Sequence, residues 1–425
     1  MKIVVIGTGI AGMVSAWSLH HAGHQVSVFE AGSYIGGHTN TVTVQLGGQS
    51  YAVDTGFIVF NDWTYPNFIR LMELLGVASQ PTTMSFSVHD PRSGLEYNGT
   101  SINTLFAQRR NFLRPSFYRM IRDILRFGRE APLLLTGSND DALLTIDDYV
   151  RKNNYSKEFV EHYLLPMGGA IWSAGTSAMR TFPARYFVQF FKNHGMLSVD
   201  ERPQWRVISN GSASYIKRLT EPFENNIFLN SPVQFIRRDD HGVTVQINNE
   251  AQRFDQVIIA THGNQALRLL SDPTPNEQDI LSHFSTTRNE AVLHTDVTLM
   301  PRRRRAWAAW NYRMSTDESA QVPVTYDMNA LQGLDAPERF LVTLNPNEPI
   351  APGRILRRIT YQHPHYTSQA VAAQKRWSEI NGVNRTYYCG AYWGYGFHED
   401  GVVSAMRVAT ALGAQILTSA EKTAR

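Results

Sequence analysis

Six residues near the start of the chain, Gly7-Thr8-Gly9-Ile10-Ala11-Gly12, have the spacing that lets a backbone approach a phosphate. Gly7 permits a tight turn. Gly9 leaves room beside the main chain, and Gly12 lets a helix pack closely on a strand. A helix beginning near Ala11, directly after Ile10, would present free N–H groups and a positive dipole end to an anion. Glu30, followed by Ala31, comes 18 residues after Gly12. A carboxylate there can accept hydrogen bonds from adenosine ribose hydroxyls and disfavours a 2′-phosphate, which argues against NADP.

The surroundings make this motif specific. The run Lys2–Ile6 reads as a strand, Ala11–His21 as a helix ended by Gly23, and Gln25–Phe29 as a second strand. Strand, glycine turn, helix and strand, closed by an acid, predict a bound dinucleotide; the bland alternative is a tight turn with no ligand. A glycine pair follows in Gly36-Gly37-His38-Thr39, and then Val53-Asp54-Thr55-Gly56-Phe57. The pair offers a second place where backbone nears phosphate. At the other end, Arg385–Gly390 reads as a short strand, and a helix is expected from near Val402 to Leu412. A helix N-terminus there would stabilise negative charge on a reduced cofactor ring.

In these segments the chain resembles the flavin amine oxidase, phytoene desaturase and protoporphyrinogen oxidase superfamily. The resemblance implies an α/β chain: a Rossmann-like FAD-binding domain of the amine oxidase fold with a discontinuous α+β substrate domain. Residues 1–80, 205–290 and 375–425 would bind FAD; 81–204 and 291–374 would form the substrate domain. It further implies that His38, Thr39, Asp54, Thr55, Gly56, Phe57, Asn61 and Gly390 lie near the cofactor. Backbone near Val233 would meet the adenine, and Gly401, Val402 and Val403 the flavin pyrimidine edge. Two departures stand out. Ala391 and Tyr392 follow Gly390 where the superfamily often has an acid. No cysteine lies some forty residues before the last helix, so the FAD is expected to be non-covalent; Cys389, the single cysteine, reads as a buried strand residue.

A narrower resemblance rests on Asp54–Asn61, Asn193-His194-Gly195, Arg202–Trp205 and Cys389–Gly401. These look like bacterial NAD/FAD-binding oxidoreductases often encoded beside cyclopropane fatty acid synthases. That implies an unsaturated or methylated fatty acyl substrate and its desaturation or oxidation by hydride transfer to flavin N5. By resemblance to amine oxidases, Tyr361 and Phe397 would flank the ring as two aromatic walls. His398 and Glu399 are candidate proton acceptors, with His363 and His194 behind them; each also fits a structural role. An amine oxidase and a lipid double-bond isomerase stay open as alternatives.

The elements that must position these groups follow from periodicity. Residues 62–80 predict a helix with Phe68, Leu71, Leu74 and Leu75 in the core. Helices are expected over 140–150 and 155–165, the second broken by Pro166. The bulky stretch from Ala170 through Phe191 is either helical core or the wall of an apolar tunnel. Strands are expected over 232–236, 243–247, 254–262, 291–297, 307–312, 322–328 and 340–344. Seven arginines fall between Phe106 and Glu130. Arg119, Arg122, Arg126 and Arg129 share one helical face, with Phe117, Met120, Ile121, Ile124 and Leu125 on the other. This is a solvated face over a core, or a surface for an anionic membrane. Arg302–Arg305 is a second basic cluster, a surface loop or a further headgroup contact.

The 425 residues are 43% hydrophobic and 18% charged, with a net charge of +3. These values fit a multi-domain enzyme and give no general attraction to nucleic acid. One cysteine excludes an intrachain disulfide and fits a reducing cytoplasm, with the inner membrane face as a candidate docking surface. No apolar window is long enough for a transmembrane helix, and no spacing suggests a metal site.

Overall fold

Ile3, Val4, Val5 and Ile6 are all buried, although alternate residues of a strand face opposite ways. Such a strand must be covered on both faces, as in a parallel sheet. Lys2–Ile6 is the centre of a five-stranded sheet in the order Ile227–Phe228, Gln25–Phe29, Lys2–Ile6, Gln256–Ile259, Thr386–Tyr388, every pairing parallel. The computed structural model describes residues 1–137, 143–315, 321 and 323–414. Three separated stretches of chain thus supply one sheet, the α/β arrangement expected. Helix Ile10–His21 covers one face, and helix His398–Ala411 packs beside it.

The last helix starts at His398, ahead of the position expected near Val402. The Asp400 carboxylate accepts the Phe397 N–H at 2.9 Å, capping an end that the apolar pattern alone does not reveal. The helix expected over 62–80 is shorter, Pro66–Leu74. Gly76, at φ +63°, ends it, and a strand follows at Ser79–Thr82. Phe68 and Leu71 are fully buried, but Leu74 is exposed.

A second sheet of seven strands runs Ile355–His365, Ser285–His294, Leu341–Leu344, Val324–Asp327, Trp310–Arg313, Phe86–Asp90, Leu95–Asn98. The strand expected over 291–297 begins earlier and ends at His294; Val297 opens a short 3-10 turn. Trp307 lies outside its strand, and Val322 falls outside the described residues. The long edge strand Ile355–His365 was not expected. Its Pro364 is tolerated because an edge strand has one unpaired side.

A helical layer covers this sheet. The start of the helix expected over 140–150 lies outside the described residues; the helix itself is Ile146–Lys152, opened by a Thr145–Asp148 capping box. Pro166 does not break the next one. A π-helical turn, Val160–Leu164, leads directly into Leu165–Trp172. Proline supplies no N–H to the carbonyl one turn back. That carbonyl, on His162, instead accepts the Tyr97 hydroxyl at 2.6 Å. Among the described residues, no helix is long and apolar enough to cross a membrane.

Candidate active site

The glycines of the first turn serve different purposes. A Cβ on Gly12 would stand 2.1 Å from the Gly7 carbonyl oxygen and 3.1 Å from Ala260 Cβ, so Gly12 exists for packing. Gly9 has ordinary backbone angles, and a Cβ there would meet no protein atom within 4 Å. Neither strain nor packing demands a glycine at position 9. The space beside it is kept for something that is not protein.

That space belongs to a cavity of about 1280 Å³. An ordinary small-molecule pocket holds about 300–1,000 Å³, so this one has room for a dinucleotide and a second molecule. Its first limb is lined by Gly7, Thr8, Gly9, Ile10, Ala11, Glu30, Ala31, Gly36, Gly37 and Val233. Glu30 is held in place: Oε2 accepts the Thr8 N–H (2.9 Å) and hydroxyl (2.7 Å), and Oε1 accepts the Gly32 N–H (2.8 Å). A carboxylate offers about four acceptor positions, which leaves capacity for a ribose hydroxyl. At Gly36, φ is +127°, and a Cβ would meet the Thr39 carbonyl oxygen at 2.4 Å.

The middle of the cavity is lined by His38, Thr55, Gly56, Phe57, His262, Tyr361, His363, Gly390, Phe397 and His398. Tyr361 is fixed by a 2.9 Å hydrogen bond between its hydroxyl and Thr55 Oγ1, and it stacks on His38 at 4.9 Å. His38 also lies 5.3 Å from His363 and 6.1 Å from His262, ring centre to ring centre. Burial pushes all three imidazoles down, His262 and His363 to about 4, so they are neutral. His38 Nε2 is buried without a protein partner. It is an orphaned polar atom at the cavity wall, as a site shaped for a polar ligand would leave. Phe397 stacks on Phe190 at 5.2 Å.

Other expected residues lie behind this wall. Thr39 is buried and bonds the Tyr215 hydroxyl (2.5 Å) and His398 Nε2 (2.9 Å). Asp54 accepts from Thr41 Oγ1 (2.5 Å), the Ser212 N–H (2.9 Å) and Ser212 Oγ (2.8 Å), tying three segments together; burial raises its carboxyl to about 6. Asn61 Oδ1 closes its own turn by accepting from Trp63 and Thr64. Gly401 packs on Ile10, Val402 is core, and Val403 follows on the same turn; none of the three lines the cavity. Phe397 and His398 form the wall there instead.

The two candidate proton acceptors at 398 and 399 are each engaged by their surroundings. His398 stacks on Phe57 at 3.5 Å, and burial lowers it to about 3, so it is neutral and held by Thr39 and Tyr215. Glu399 does not line the cavity. It accepts the Asn67 N–H (3.1 Å), Asn67 Nδ2 (2.6 Å) and the Phe68 N–H (2.9 Å), capping helix Pro66–Leu74, which has no side-chain cap of its own. Glu399→Ala is expected to cost about 1–3 kcal/mol of stability and leave the cofactor spectrum and bound stoichiometry unchanged. Loss of turnover at unchanged thermal stability would restore Glu399 to the chemistry.

His194 is likewise occupied: Nδ1 bonds the Phe190 carbonyl (2.9 Å), Nε2 meets Thr64 Oγ1 (3.1 Å), and burial lowers it to about 4. Sequence reasoning missed His262 and Asp400. Asp400, raised to about 7 by burial, props the loop that carries Phe397. Its spacing from Phe397, as the third residue of a helix, is the one signal that could have pointed to it.

The last limb is apolar, lined by Tyr97, Ile121, Ile124, Tyr163, Met167, Ala170, Ile171 and Trp172. The two readings of the bulky stretch therefore both apply. Phe187 and Phe191 are fully buried core, while Trp172 and Phe190 face the cavity. Among the described residues, no cluster of side chains is placed to hold a metal ion.

This geometry can be set against known proteins. The family model for flavin containing amine oxidoreductases matches residues 10–319. The chain belongs to this family. It is an FAD-dependent oxidoreductase of the amine oxidase type, and the glycine cradle, Glu30 and the orphaned His38 fit that cofactor. An L-amino-acid oxidase of Siganus canaliculatus is 25% identical over 293 residues, 64% of this chain and 52% of that protein. A zeta-carotene desaturase of Synechocystis sp. is 37% identical over 76 residues, 18% of this chain and 15% of that one. The chain thus spans about half of the first relative's length and less of the second's. The CLA-producing fatty acid isomerase from P. acnes has the same fold at a TM-score of 0.68, covering 96% of this chain and 98% of that one, at 15% identity.

Proposed function

We propose that this oxidoreductase acts on a long apolar substrate, an unsaturated or methylated fatty acyl chain, and desaturates it. The observation that carries this is the charge of the cavity wall. Its one carboxylate among the described residues, Glu30, lies at the nucleotide end, and the limb beyond the middle is apolar. A protonated amine would find no counter-ion there, whereas an alkyl chain loses its water to Ile121, Ile124, Met167 and Ile171.

In this reading the glycine turn, Glu30 and Val233 hold FAD, non-covalently because Cys389 is buried in the core. Bound FAD supplies the hydride acceptor. Tyr361 and Phe397 bound the chain's path through the middle of the cavity. A proton leaving the substrate has neutral imidazoles to receive it, those of His38, His262 and His363. The discontinuous domains proposed from sequence serve this reading too: cofactor residues come from 1–80, 205–290 and 375–425, and the apolar limb from between them. Isomerisation of an acyl double bond is the second reading, supported by the fatty acid isomerase that shares the fold. It would use the same limb and consume no electron acceptor.

The test adds monomeric fatty acids, then amines, to anaerobic holoprotein while the flavin band near 450 nm is followed. Bleaching with an unsaturated fatty acid alone supports desaturation. Product shift without bleaching or oxygen uptake moves the assignment to isomerisation, and bleaching only with amines rejects the acyl reading.

A further inference from the structure

The apolar limb reaches the surface where Ile102, Leu125 and Val199, all exposed, belong to its lining. Helices place these residues there. Ile102–Leu105 is a short helix beside the mouth, and Pro115–Glu130 turns Ile121 and Ile124 inward and Leu125 to its rim. The surface around the mouth is not an ordinary solvated face. Leu113 is 88% exposed and Ile102 76%, and Phe112 and Tyr118 are exposed beside them. Phe112, Leu113, Tyr118, Arg119 and Arg122 line one shallow cleft together. Apolar tips and guanidinium groups therefore share a surface.

The charge there is one-sided. Seven arginines stand against two carboxylates, Asp123 and Glu130, between residues 102 and 130, and Glu158, which pairs with Arg119, still leaves the excess positive. The second cluster, Arg302–Arg305, is remote in sequence, yet its turn Arg304–Ala306 packs against helix Ile102–Leu105. All four of its arginines are exposed, and among the described residues none forms an ion pair. The fold brings both basic clusters to the rim of one apolar opening.

We infer that this face docks on an anionic lipid bilayer, with Leu113 and Ile102 entering the acyl boundary and the two arginine clusters seated on headgroup phosphates. Apolar side chains at the centre and cations around them match the two layers of a membrane surface. A second copy of the chain would bring arginine against arginine, and a nucleic acid would leave Leu113 and Ile102 in water. The mouth between them then opens into the bilayer, so an acyl chain passes from lipid to cavity without crossing water. The inference deepens the acyl reading above and rests on it only for this last step.

The experiment is vesicle flotation of the holoprotein without turnover. Pure phosphatidylcholine vesicles are compared with ones about one-third phosphatidylglycerol, the anionic fraction supplying the attraction. Wild type should float only with the anionic vesicles and be released toward 1 M salt, where the Debye length is about 3 Å. Each arginine near such a surface is worth about fivefold in partition, so Arg122→Glu with Arg303→Glu should lower it at least about 25-fold. Leu113→Asp should lower it about tenfold. All three positions are exposed, so flavin content and melting temperature serve as fold controls. Equal recovery on both vesicles overturns the inference. So does Leu113→Asp binding as wild type, or a wild type that binds a single-stranded oligonucleotide as tightly, since either marks a polyanion surface. A dimer in solution that Leu113→Asp dissolves would assign the face to a second copy. Failure here with bleaching by monomeric fatty acid intact separates the docking claim from the acyl claim.

Discussion

Gly12→Val will yield protein without bound flavin and with a melting temperature at least several degrees below wild type. A Cβ at this position would lie 2.1 Å from the Gly7 carbonyl oxygen, and the obstacle is backbone. The helix must move off the strand, and with it the N–H groups of Ile10 and Ala11. Overpacking of this kind costs about 1–3 kcal/mol or more. Losing a ligand present at a thousand times its Kd removes about 4 kcal/mol besides. Gly9→Ala is the companion. It meets no protein atom, so the apoprotein should melt as the wild-type apoprotein does while FAD affinity falls. The ratio of flavin to protein absorbance and the melting curves of both apoproteins decide. A yellow Gly12→Val at full stoichiometry, or a Gly9→Ala that binds FAD as wild type does, would end the assignment of this turn to the cofactor.

The contrast between those two glycines shows what a sequence can carry. Both were legible as motif, because a strand, a turn and a helix each leave a local signature of a few residues. The packing role of one and the open space beside the other need the third dimension. The same division runs through the site. Glu30 was read from its spacing after Gly12 and Phe397 from a resemblance, and both line the cavity. Glu399 was read as a candidate proton acceptor from its place two residues after Phe397, yet successive helix residues point about 100° apart, and its carboxylate lies on the end of Pro66–Leu74. His262 was passed over although its strand was expected, since nothing local says that His38 and His363 arrive beside it from elsewhere.

The missed strand Ile355–His365 has a similar cause. Arg357, Arg358 and Pro364 interrupt any apolar alternation, and only its position at the sheet edge makes them acceptable. Expected strands in the sheet interior, such as Leu341–Leu344, were legible because burial on both faces favours a mostly apolar run, here interrupted only by Thr343. Leu74 and Leu125 failed for the opposite reason. Periodicity marks a helical face, but it does not say whether the rest of the chain covers that face.

Least legible of all was a buried ion pair, and its removal carries the second large expectation. Arg238→Met will destabilise the protein by about 3–5 kcal/mol. Arg238 donates to both carboxylate oxygens of Glu277, at 2.6 and 2.9 Å, and to Asp272 Oδ1 at 3.1 Å. Glu277 also accepts the Tyr388 hydroxyl at 2.5 Å and the Thr274 N–H at 2.7 Å. These bonds fasten the three-stranded sheet that carries Val233 to the strand that leads into Gly390, so a wall of the first limb and a wall of the cavity's middle share one anchor. Burial pushes the Glu277 carboxyl up, but Arg238 and Tyr388 hold it below its ordinary value. With Arg238 gone, the buried charge escapes only by taking a proton. The loss should therefore be largest at neutral pH and shrink as the pH falls toward the ordinary carboxylate range. Arg238→Met with Glu277→Leu removes both charges and should recover most of the stability. Denaturant melts of the three proteins at neutral and acid pH test this directly. A double variant no more stable than Arg238→Met would show that the pair anchors the cavity through its hydrogen bonds to the strand, and not merely by neutralising one buried charge with another.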